Sequence, residues 1–377
     1  MINFASNLNK MIDAGLGGPL DPPRTEVAIG HRIVYTEASG EVVNFETNLI
    51  APVKNLRVTM EPIQEGSGDP SPDNIRPITG RESVTVWRYG TNFFDGEMEN
   101  GDISETTGQN SGASSSRRRC VNYIPIPPGT TSLYFYNSGR TTVRIFYYRA
   151  DKSYMYLNTI DTNRVYTLPT SAQAEARYIR FRYASVAIDS DATASVNIPS
   201  TATTYEPYQS QSVTVQLGQT GYGGTVDVTG GSALKTMDIR DLSALSWRYY
   251  AADNYFYAAM GNRFPNGTNG KGLCSSYKFY GTAISATLAS MPDFNFGFTS
   301  NSGSKYIYIK DSRYTDAASF QTAVAGVQLV YDLQPSSYEE ITTDPATLST
   351  LKGQNNVWSD AGSISLEYPY CEETEGY

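Results

Sequence analysis

YEPYQSQSVTVQLGQTGY, residues 205–222, marks a junction between two β-rich regions of the chain. The stretch is rich in tyrosine and contains VTVQL, residues 213–217, where apolar and polar side chains alternate as they do in a half-buried strand. The pattern before the junction predicts a β-sandwich over residues 91–210. The pattern after it predicts a second β-rich module over residues 211–377. The chain is therefore expected to consist of modules arranged on either side of this junction.

The composition of the chain is typical of many short strands joined by turns. Glycine, proline and tyrosine account for 32, 19 and 29 of the 377 residues, and glycine and proline are turn formers. A chain of this length has room for two or three domains. We therefore predict a mostly β protein built from β-sandwich or jelly-roll modules, with a few short helices and an N-terminal arm.

Two segments precede the predicted sandwich. Residues 1–24 are predicted to form an N-terminal anchoring arm; packing of this arm as a helix on its own first domain is the alternative. Its apolar residues share one helical face: Phe4, Leu8, Met11 and Ile12. Residues 25–90 are predicted to form a small β region that serves as an anchor or adaptor. Within it, residues 61–77 contain four prolines and two glycines, which exclude a helix or a central strand and predict a stiff, irregular loop.

The C-terminal module, residues 211–377, is predicted to contain two short helices. The first is expected to use Thr315 as its N-cap, to place Phe320 and Val324 on one face, and to stop at Gly326. The second is predicted from five residues that provide a cap, a first-turn proline, an apolar face and a stop: Asp344, Pro345, Leu348, Leu351 and Gly353.

Charge and cysteine content exclude several classes of protein. The net charge of −9 argues against a nucleic-acid surface, which is normally basic. The three cysteines are Cys120, Cys274 and Cys371. Their wide spacing without a CxxC motif predicts free thiols made in a reducing compartment, rather than a zinc site or a disulfide framework. The first 18 residues lack the continuous apolar core of a signal peptide. The sequence contains no run of about 18 apolar residues, so no membrane span is predicted.

No residue stands out as catalytic. The only histidine, His31, lies in a predicted strand, and no G-x-S-x-G motif precedes a helix, so a serine hydrolase triad is not expected. Two carboxylates are enough for glycoside hydrolysis, but nothing distinguishes a pair among the 38 acidic residues. The acidic loop 95–102 lacks the spacing of an EF-hand and is interpreted as a turn. We expect no catalytic residue, no metal and no cofactor.

Tyrosine is the strongest compositional signal for binding. Tyrosines two residues apart in a strand lie on the same face, and each offers an apolar ring and a polar tip. Such rings stack well on the apolar C–H faces of sugars, although they also fill half-buried strand faces. Several pairs occur, Tyr306 and Tyr308 among them. The residues predicted to bind ligand are Tyr154, Tyr156, Trp247, Tyr249, Tyr250, Tyr255 and Tyr257.

Four pieces of the sequence resemble tail and receptor-binding-type structural proteins of phages that infect Firmicutes. The first is EPIQEGSGDPSPDNIRPITG, residues 61–80. The others are QLGQTGYGGTVDV at 216–228, YIYIKD at 306–311 and LKGQNNVWSDAG at 351–362. The resemblance covers roughly residues 50–90 and 205–370, whereas the predicted sandwich at 91–210 is similar to carbohydrate-binding jelly rolls only in its pattern.

The resemblance implies a protein of the virion surface, made in the host cytoplasm and often trimeric. We therefore expect a tail fibre or receptor-binding protein that contacts other virion proteins through its N-terminal arm and binds host cell-surface glycan, with no nucleic-acid or membrane partner. One alternative is a head decoration or baseplate scaffold protein without a ligand. Another is a polysaccharide depolymerase, for which the shared motifs supply no catalytic residues.

Overall fold

The computed structural model describes residues 25–36, 42–112, 116–127, 129–139, 142–183, 193–265, 270–282, 288–301 and 304–375. Strands account for 53% and helices for 7% of the structure, and almost all strand pairs are antiparallel. The prediction of a mostly β protein with a few short helices is confirmed. The predicted anchoring arm, residues 1–24, lies outside the described residues.

A base unit of two sheets contains both the first and the last described strands. Its six-stranded sheet has the order Thr25–Tyr35, Gly362–Glu375, Lys54–Met60, Gly224–Asp227, Ser232–Lys235, Glu339–Thr342. Its four-stranded sheet has the order Ser210–Gly221, Arg81–Tyr89, Gly353–Ser359, Val43–Thr47. Both sheets contribute to one apolar core that contains Val58, Val84 and Leu366. A hairpin of Ile63–Gln64 and Ile78–Thr79 extends from this unit.

A first insert leaves the base unit after the strand Arg81–Tyr89 and returns at Ser210–Gly221. Its larger sheet contains Tyr154–Asp161, Thr142–Tyr148, Tyr178–Tyr183, Arg118–Cys120 and Met98–Asn100, with Ile124–Pro125 beside Tyr178–Tyr183. Its smaller sheet contains Arg164–Thr167, Ser132–Asn137 and Ala194–Asn197. Phe135 and Phe181 meet in the shared core. The remaining elements are the helix Thr170–Glu175 and the paired strands Asp102–Ile103 and Asn110–Ser111.

A second insert lies between the base-unit strands Ser232–Lys235 and Glu339–Thr342. Its five-stranded sheet has the order Arg248–Tyr250, Tyr255–Ala259, Ser304–Lys310, Asn295–Asn301, Lys278–Thr282. Its three-stranded sheet has the order Met237–Asp241, Gln328–Asp332, Gly272–Cys274. The helical elements are Leu242–Ala244, Leu288–Ser290, Ala317–Ala323 and Pro335–Ser337. Phe256, Phe320 and Leu329 bring both sheets and the longest of these helices into one core.

Strand pairing divides the chain differently from the predicted consecutive segments 25–90, 91–210 and 211–377. Val213 pairs with Val86, and Ile33 pairs with Glu367. Residues on both sides of the predicted boundaries therefore share the sheets of the base unit. The segment 211–377 is split between the base unit and the second insert. Local alternation predicts each strand but carries no information about a partner more than 300 residues away.

One of the two predicted C-terminal helices is present. The helix Ala317–Ala323 buries Phe320, and Val324 lies buried at its C-cap. Its N-cap is Asp316, not Thr315, because the Asp316 carboxylate accepts a hydrogen bond from the Ser319 backbone N–H. A carboxylate at this position also suits the positive end of the helix dipole.

The helix predicted from Asp344 to Gly353 is wrong, since this segment is irregular apart from a β-bridge between Ser349 and Pro52 and the strand that begins at Gly353. Its backbone groups bond to neighbouring segments of the base unit instead of to each other. The Leu348 carbonyl accepts from the Val53 N–H, and the Ala346 N–H donates to the Val228 carbonyl. Leu348 is fully buried in the base-unit core. Tertiary packing therefore outweighs a local capping signal here.

The proline-rich loop over residues 61–77 is built around one arginine. The guanidinium of Arg76 donates to four backbone carbonyls, those of Gln64, Glu65, Gly66 and Gly68. The Arg76 backbone N–H also donates to the Ser275 carbonyl, and the Gln64 amide donates to the Cys274 carbonyl. The loop thus attaches the base unit to the second insert. Only Ile63–Gln64 forms a regular strand within it, so side-chain hydrogen bonds hold the rest of its shape.

The three thiols are predicted to differ sharply in reactivity. Burial raises the pKa of Cys120 to about 11 and that of Cys274 to about 12, and the thiolate is the reactive form. Cys371 is half-buried. We expect a thiol reagent at pH 8 to modify one thiol per native chain rapidly, and three after denaturation. Rapid modification of two or three thiols in the native protein would contradict the burial described here.

Candidate functional site

Five tyrosines form a continuous aromatic surface on the outer face of the five-stranded sheet of the second insert. We call this surface the tyrosine face; it consists of Tyr250, Tyr255, Tyr257, Tyr306 and Tyr308. Strand alternation places them there. In the strand Tyr255–Ala259 the tyrosines point outward, while Phe256 and Ala258 are buried in the core. In the strand Ser304–Lys310, Ile307 and Ile309 take the buried positions.

Strand register brings the five rings into contact. Tyr257 lies directly opposite Tyr308, and Tyr250 lies opposite Tyr255. The rings of Tyr250 and Tyr255 are stacked with their centroids 5.0 Å apart, and those of Tyr257 and Tyr308 are stacked at 6.1 Å. Tyr306 packs edge-on against Tyr257 at 5.9 Å. These spacings are typical of favourable aromatic pairs, so the rings support one another as a platform.

The hydroxyl groups of the tyrosine face remain available for a ligand. None of the five makes a hydrogen bond to any residue that the structure describes. Burial raises the pKa of Tyr308 to about 12 and also raises the pKa of Tyr255. Tyr308 and Tyr255 are therefore protonated at neutral pH, and their hydroxyls can both donate and accept hydrogen bonds.

Apolar and cationic groups border the tyrosine face. The buried side chains of Leu288 and Met291 pack against Tyr255 and Tyr308. Arg248 is exposed and pairs across the strands with Tyr257. The platform is thus closed at one end by apolar side chains and carries a positive charge beside its centre.

Two predicted ligand-binding residues of the second insert lie away from this surface. Trp247 is only 6% exposed, its indole N–H donates to the Leu242 carbonyl, and its ring packs on Phe320. Tyr249 faces the core side of its strand, and its hydroxyl donates to the Asn254 side chain. The alternation that turns Tyr250 outward necessarily turns Tyr249 inward.

The two predicted residues of the first insert are committed to internal contacts. The Tyr154 hydroxyl donates to the Glu105 carbonyl, and its ring packs closely on Gly108, where a side chain would clash. The Tyr156 hydroxyl bonds to Ser171, and its ring packs against Tyr147. These tyrosines hold strands and loops of the insert together, so the structure does not group them with the tyrosine face.

The structure adds Tyr306 and Tyr308 to the predicted Tyr250, Tyr255 and Tyr257. Their spacing of two residues was visible in the sequence as a same-face pair. The information that was missing is that the strand Ser304–Lys310 lies beside Tyr255–Ala259. From the sequence alone, Tyr306 and Tyr308 look like any other same-face tyrosine pair. Only the pairing of the two strands shows that they belong to a larger aromatic surface.

Carboxylates of the acidic loop and the histidine lie beside other charged side chains. In the acidic loop 95–102, Asp102 is paired with Arg117 and Arg182, and Glu99 is paired with Arg119. In the part of the chain that is described, no group of three or more metal-binding side chains is positioned to hold an ion. Likewise, none of the described helices has the length and apolar character needed to cross a membrane.

Comparison with known proteins finds no matching family model, no similar curated protein and no similar solved structure.

Proposed function

We propose that this protein is a surface protein of a phage virion, a tail fibre or receptor-binding protein, that attaches to glycan on the host cell through the tyrosine face. The observation that carries the proposal is the continuous surface of five tyrosine rings with uncommitted hydroxyls. The proposal includes no catalytic residue and no cofactor.

The chemistry of the surface suits a sugar chain. The C–H faces of a pyranose ring stack on phenol rings, and its hydroxyls can exchange hydrogen bonds with the tyrosine hydroxyls. Tyrosine has few rotatable bonds, so ordering it against a ligand costs little entropy. The several adjacent rings would accommodate more than one sugar unit along an extended chain.

The proposed assembly is a homotrimer attached to other virion proteins through residues 1–24. A single open platform binds weakly, because it buries little of the ligand. Three platforms on one particle-bound protein raise the effective affinity when they engage the same cell surface, since the second and third contacts become intramolecular. A net charge of −9 fits attachment by stacking and hydrogen bonding better than electrostatic attraction to an acidic wall.

Replacement of Tyr255 and Tyr257 by alanine is expected to reduce the binding of the labelled protein to intact Firmicutes cells at least tenfold, about 1.4 kcal/mol. The reason is that the double variant removes the centre of the platform: Tyr255 contacts Tyr250, Tyr257 and Tyr308, and Tyr257 also contacts Tyr306 and Tyr308. The matched control is Tyr205→Ala with Tyr338→Ala, which removes two exposed tyrosines outside the tyrosine face. Flow cytometry measures the binding, and circular dichroism verifies folding.

Equal binding by the Tyr255→Ala/Tyr257→Ala variant and by the control variant would exclude the tyrosine face as the attachment surface. Equal loss in both would show that the effect is not specific to this surface.

A further inference from the structure

A cleft with aromatic walls lies between the base unit and the first insert. We call it the junction cleft; it has a volume of about 310 Å³, at the lower end of the range for ligand sites. Five rings line it: Trp87, Tyr89, Tyr123, Tyr178 and Trp358. They come from four distant parts of the sequence, which is why no local motif indicated the site.

The base unit supplies one wall of the cleft. Trp87 and Trp358 pair across neighbouring strands, with ring centroids 6.2 Å apart and planes inclined by 26°. Tyr89 stacks on Trp358 at 5.1 Å. Strand alternation directs Trp87 and Tyr89 away from the base-unit core, which takes up Val84 and Val86 instead. The indoles therefore face the first insert.

The first insert supplies the opposite wall. Tyr123 and Tyr178 pack edge to face with centroids 6.0 Å apart. Both rings are half-buried, and neither hydroxyl has a hydrogen-bond partner within the described ranges. Aromatic side chains thus stand on both sides of an open space, an arrangement that can hold a flat apolar face by stacking.

Cationic side chains lie in the cleft and beside it. Asp360 is neutralised by Arg81 at 3.6 Å and accepts a hydrogen bond from the Thr85 N–H. Arg177 donates through Nη1 to two backbone carbonyls and forms no ion pair with any residue the structure describes. The ammonium of Lys152, likewise without an ion pair there, lies 5.1 Å from the centroid of the Tyr123 ring and 5.8 Å from that of Tyr178. Arg177 in the cleft and Lys152 beside it have no carboxylate partner among the described residues, so they would attract an anionic group even in a chain of net charge −9.

We propose that the junction cleft binds one sugar ring of an acidic saccharide. The ring stacks between the indole wall and the phenol wall, while its anionic substituent lies near Arg177 and Lys152. This site is separate from the tyrosine face and does not depend on the function proposed for it. A neutral sugar would gain the stacking contacts but not the charge-assisted hydrogen bonds, which are roughly twice as strong as neutral ones.

Intrinsic fluorescence gives a direct test with the full-length protein. Two of the three tryptophans, Trp87 and Trp358, line the cleft, whereas Trp247 is buried in the second insert. The probes are a tetramer of β-1,4-linked glucuronate and cellotetraose, which has the same linkage without the carboxylates. We expect saturable change of tryptophan emission with the glucuronate tetramer, at least tenfold weaker binding of cellotetraose, and weakening of the glucuronate complex by salt.

Substitutions then locate the bound saccharide. Arg177→Gln is expected to weaken glucuronate binding at least tenfold, whereas Arg164→Gln, on the exposed edge of the same insert and paired with Asp161, should leave it unchanged. Trp87→Ala should abolish glucuronate binding. Trp87→Phe keeps an aromatic ring for stacking and should retain part of the binding, which distinguishes a lost stacking contact from misfolding. Saturation-transfer NMR provides a readout that does not depend on the tryptophans.

Three results would overturn the proposal: no saturable response to either saccharide, equal affinity for both, or wild-type affinity in Arg177→Gln. The Tyr255→Ala/Tyr257→Ala variant is expected to bind the glucuronate tetramer normally. A negative saccharide-binding result for the junction cleft therefore leaves the proposed role of the tyrosine face intact. Likewise, a negative cell-binding result for the tyrosine face leaves the proposed saccharide site in the cleft intact.

Discussion

Replacing Phe320 by alanine is expected to destabilise the second insert by about 3–5 kcal/mol, the cost of removing a buried phenylalanine ring. Phe320 is fully buried, and its ring stacks on Phe256 at 3.9 Å with the planes inclined by only 7°. It also packs edge-on against Trp247 at 4.9 Å. Because this ring joins the helix Ala317–Ala323 to the five-stranded sheet, its removal leaves a cavity between two elements that depend on each other.

Hydrogen exchange in the strands Tyr255–Ala259 and Ser304–Lys310 measures this loss locally, without requiring the whole chain to unfold in one step. A loss of about 3 kcal/mol corresponds to roughly a hundredfold faster exchange. Thr322→Ala is the matched control, since Thr322 lies on the exposed side of the same helix and should cost less than about 0.5 kcal/mol. Similar exchange rates in the two variants would contradict the packing described for Phe320.

Replacing Arg313 by alanine is expected to cost about 3 kcal/mol, the lower end of the range for breaking a buried ion pair. The Asp311 carboxylate is fully buried and accepts hydrogen bonds from Nε and Nη2 of Arg313 at 2.9 and 2.7 Å. It also accepts from the Tyr277 hydroxyl, whose pKa is held above its ordinary value by burial and then by the Asp311 charge. The lower end of the range for a buried ion pair applies because the Arg313 side chain is 40% exposed.

The double variant Arg313→Ala with Asp311→Asn separates loss of charge compensation from loss of packing. It should recover part of the lost stability, because the buried carboxylate is then no longer charged. Arg248→Ala serves as the control for removing an exposed arginine of the same insert. If Arg313→Ala cost less than about 1 kcal/mol, the pair would behave as a surface salt bridge and the buried carboxylate would not be a structural element of the insert.

Local patterns were sufficient for the fold class and for the inner and outer faces of individual strands. The spacing of Tyr255 and Tyr257 predicted two rings on the same strand face, and the structure places both on the outer side of the sheet. Trp247 was predicted to bind ligand together with the neighbouring tyrosines, but it is buried in the core of the second insert. It directly precedes the strand Arg248–Tyr250, so strand alternation did not apply to it. The indole N–H that makes tryptophan useful in binding is satisfied here by the Leu242 carbonyl.

Features that depend on distant partners could not be derived from the sequence. The Asp344–Pro345 pair is a strong local signal for a helix start. Burial of Leu348 in the base-unit core stabilises the observed conformation more than helix formation would. The junction cleft combines Trp87 with Tyr178 and Trp358, three residues whose proximity follows only from the way the first insert folds back on the base unit. The first insert was recognised as a β-rich segment, but its place between two neighbouring strands of one sheet was not.

The proposed attachment to a host surface through glycan is tested by measuring how the purified, fluorescently labelled protein binds to intact Firmicutes cells from a panel of strains, with its mass in solution measured alongside. We expect saturable binding to at least one strain, loss of binding after periodate oxidation of the cell-surface sugars, and a mass corresponding to a trimer if this attachment occurs. A folded protein that binds no strain above the level of an unrelated labelled protein, or whose binding is unaffected by periodate, would contradict it.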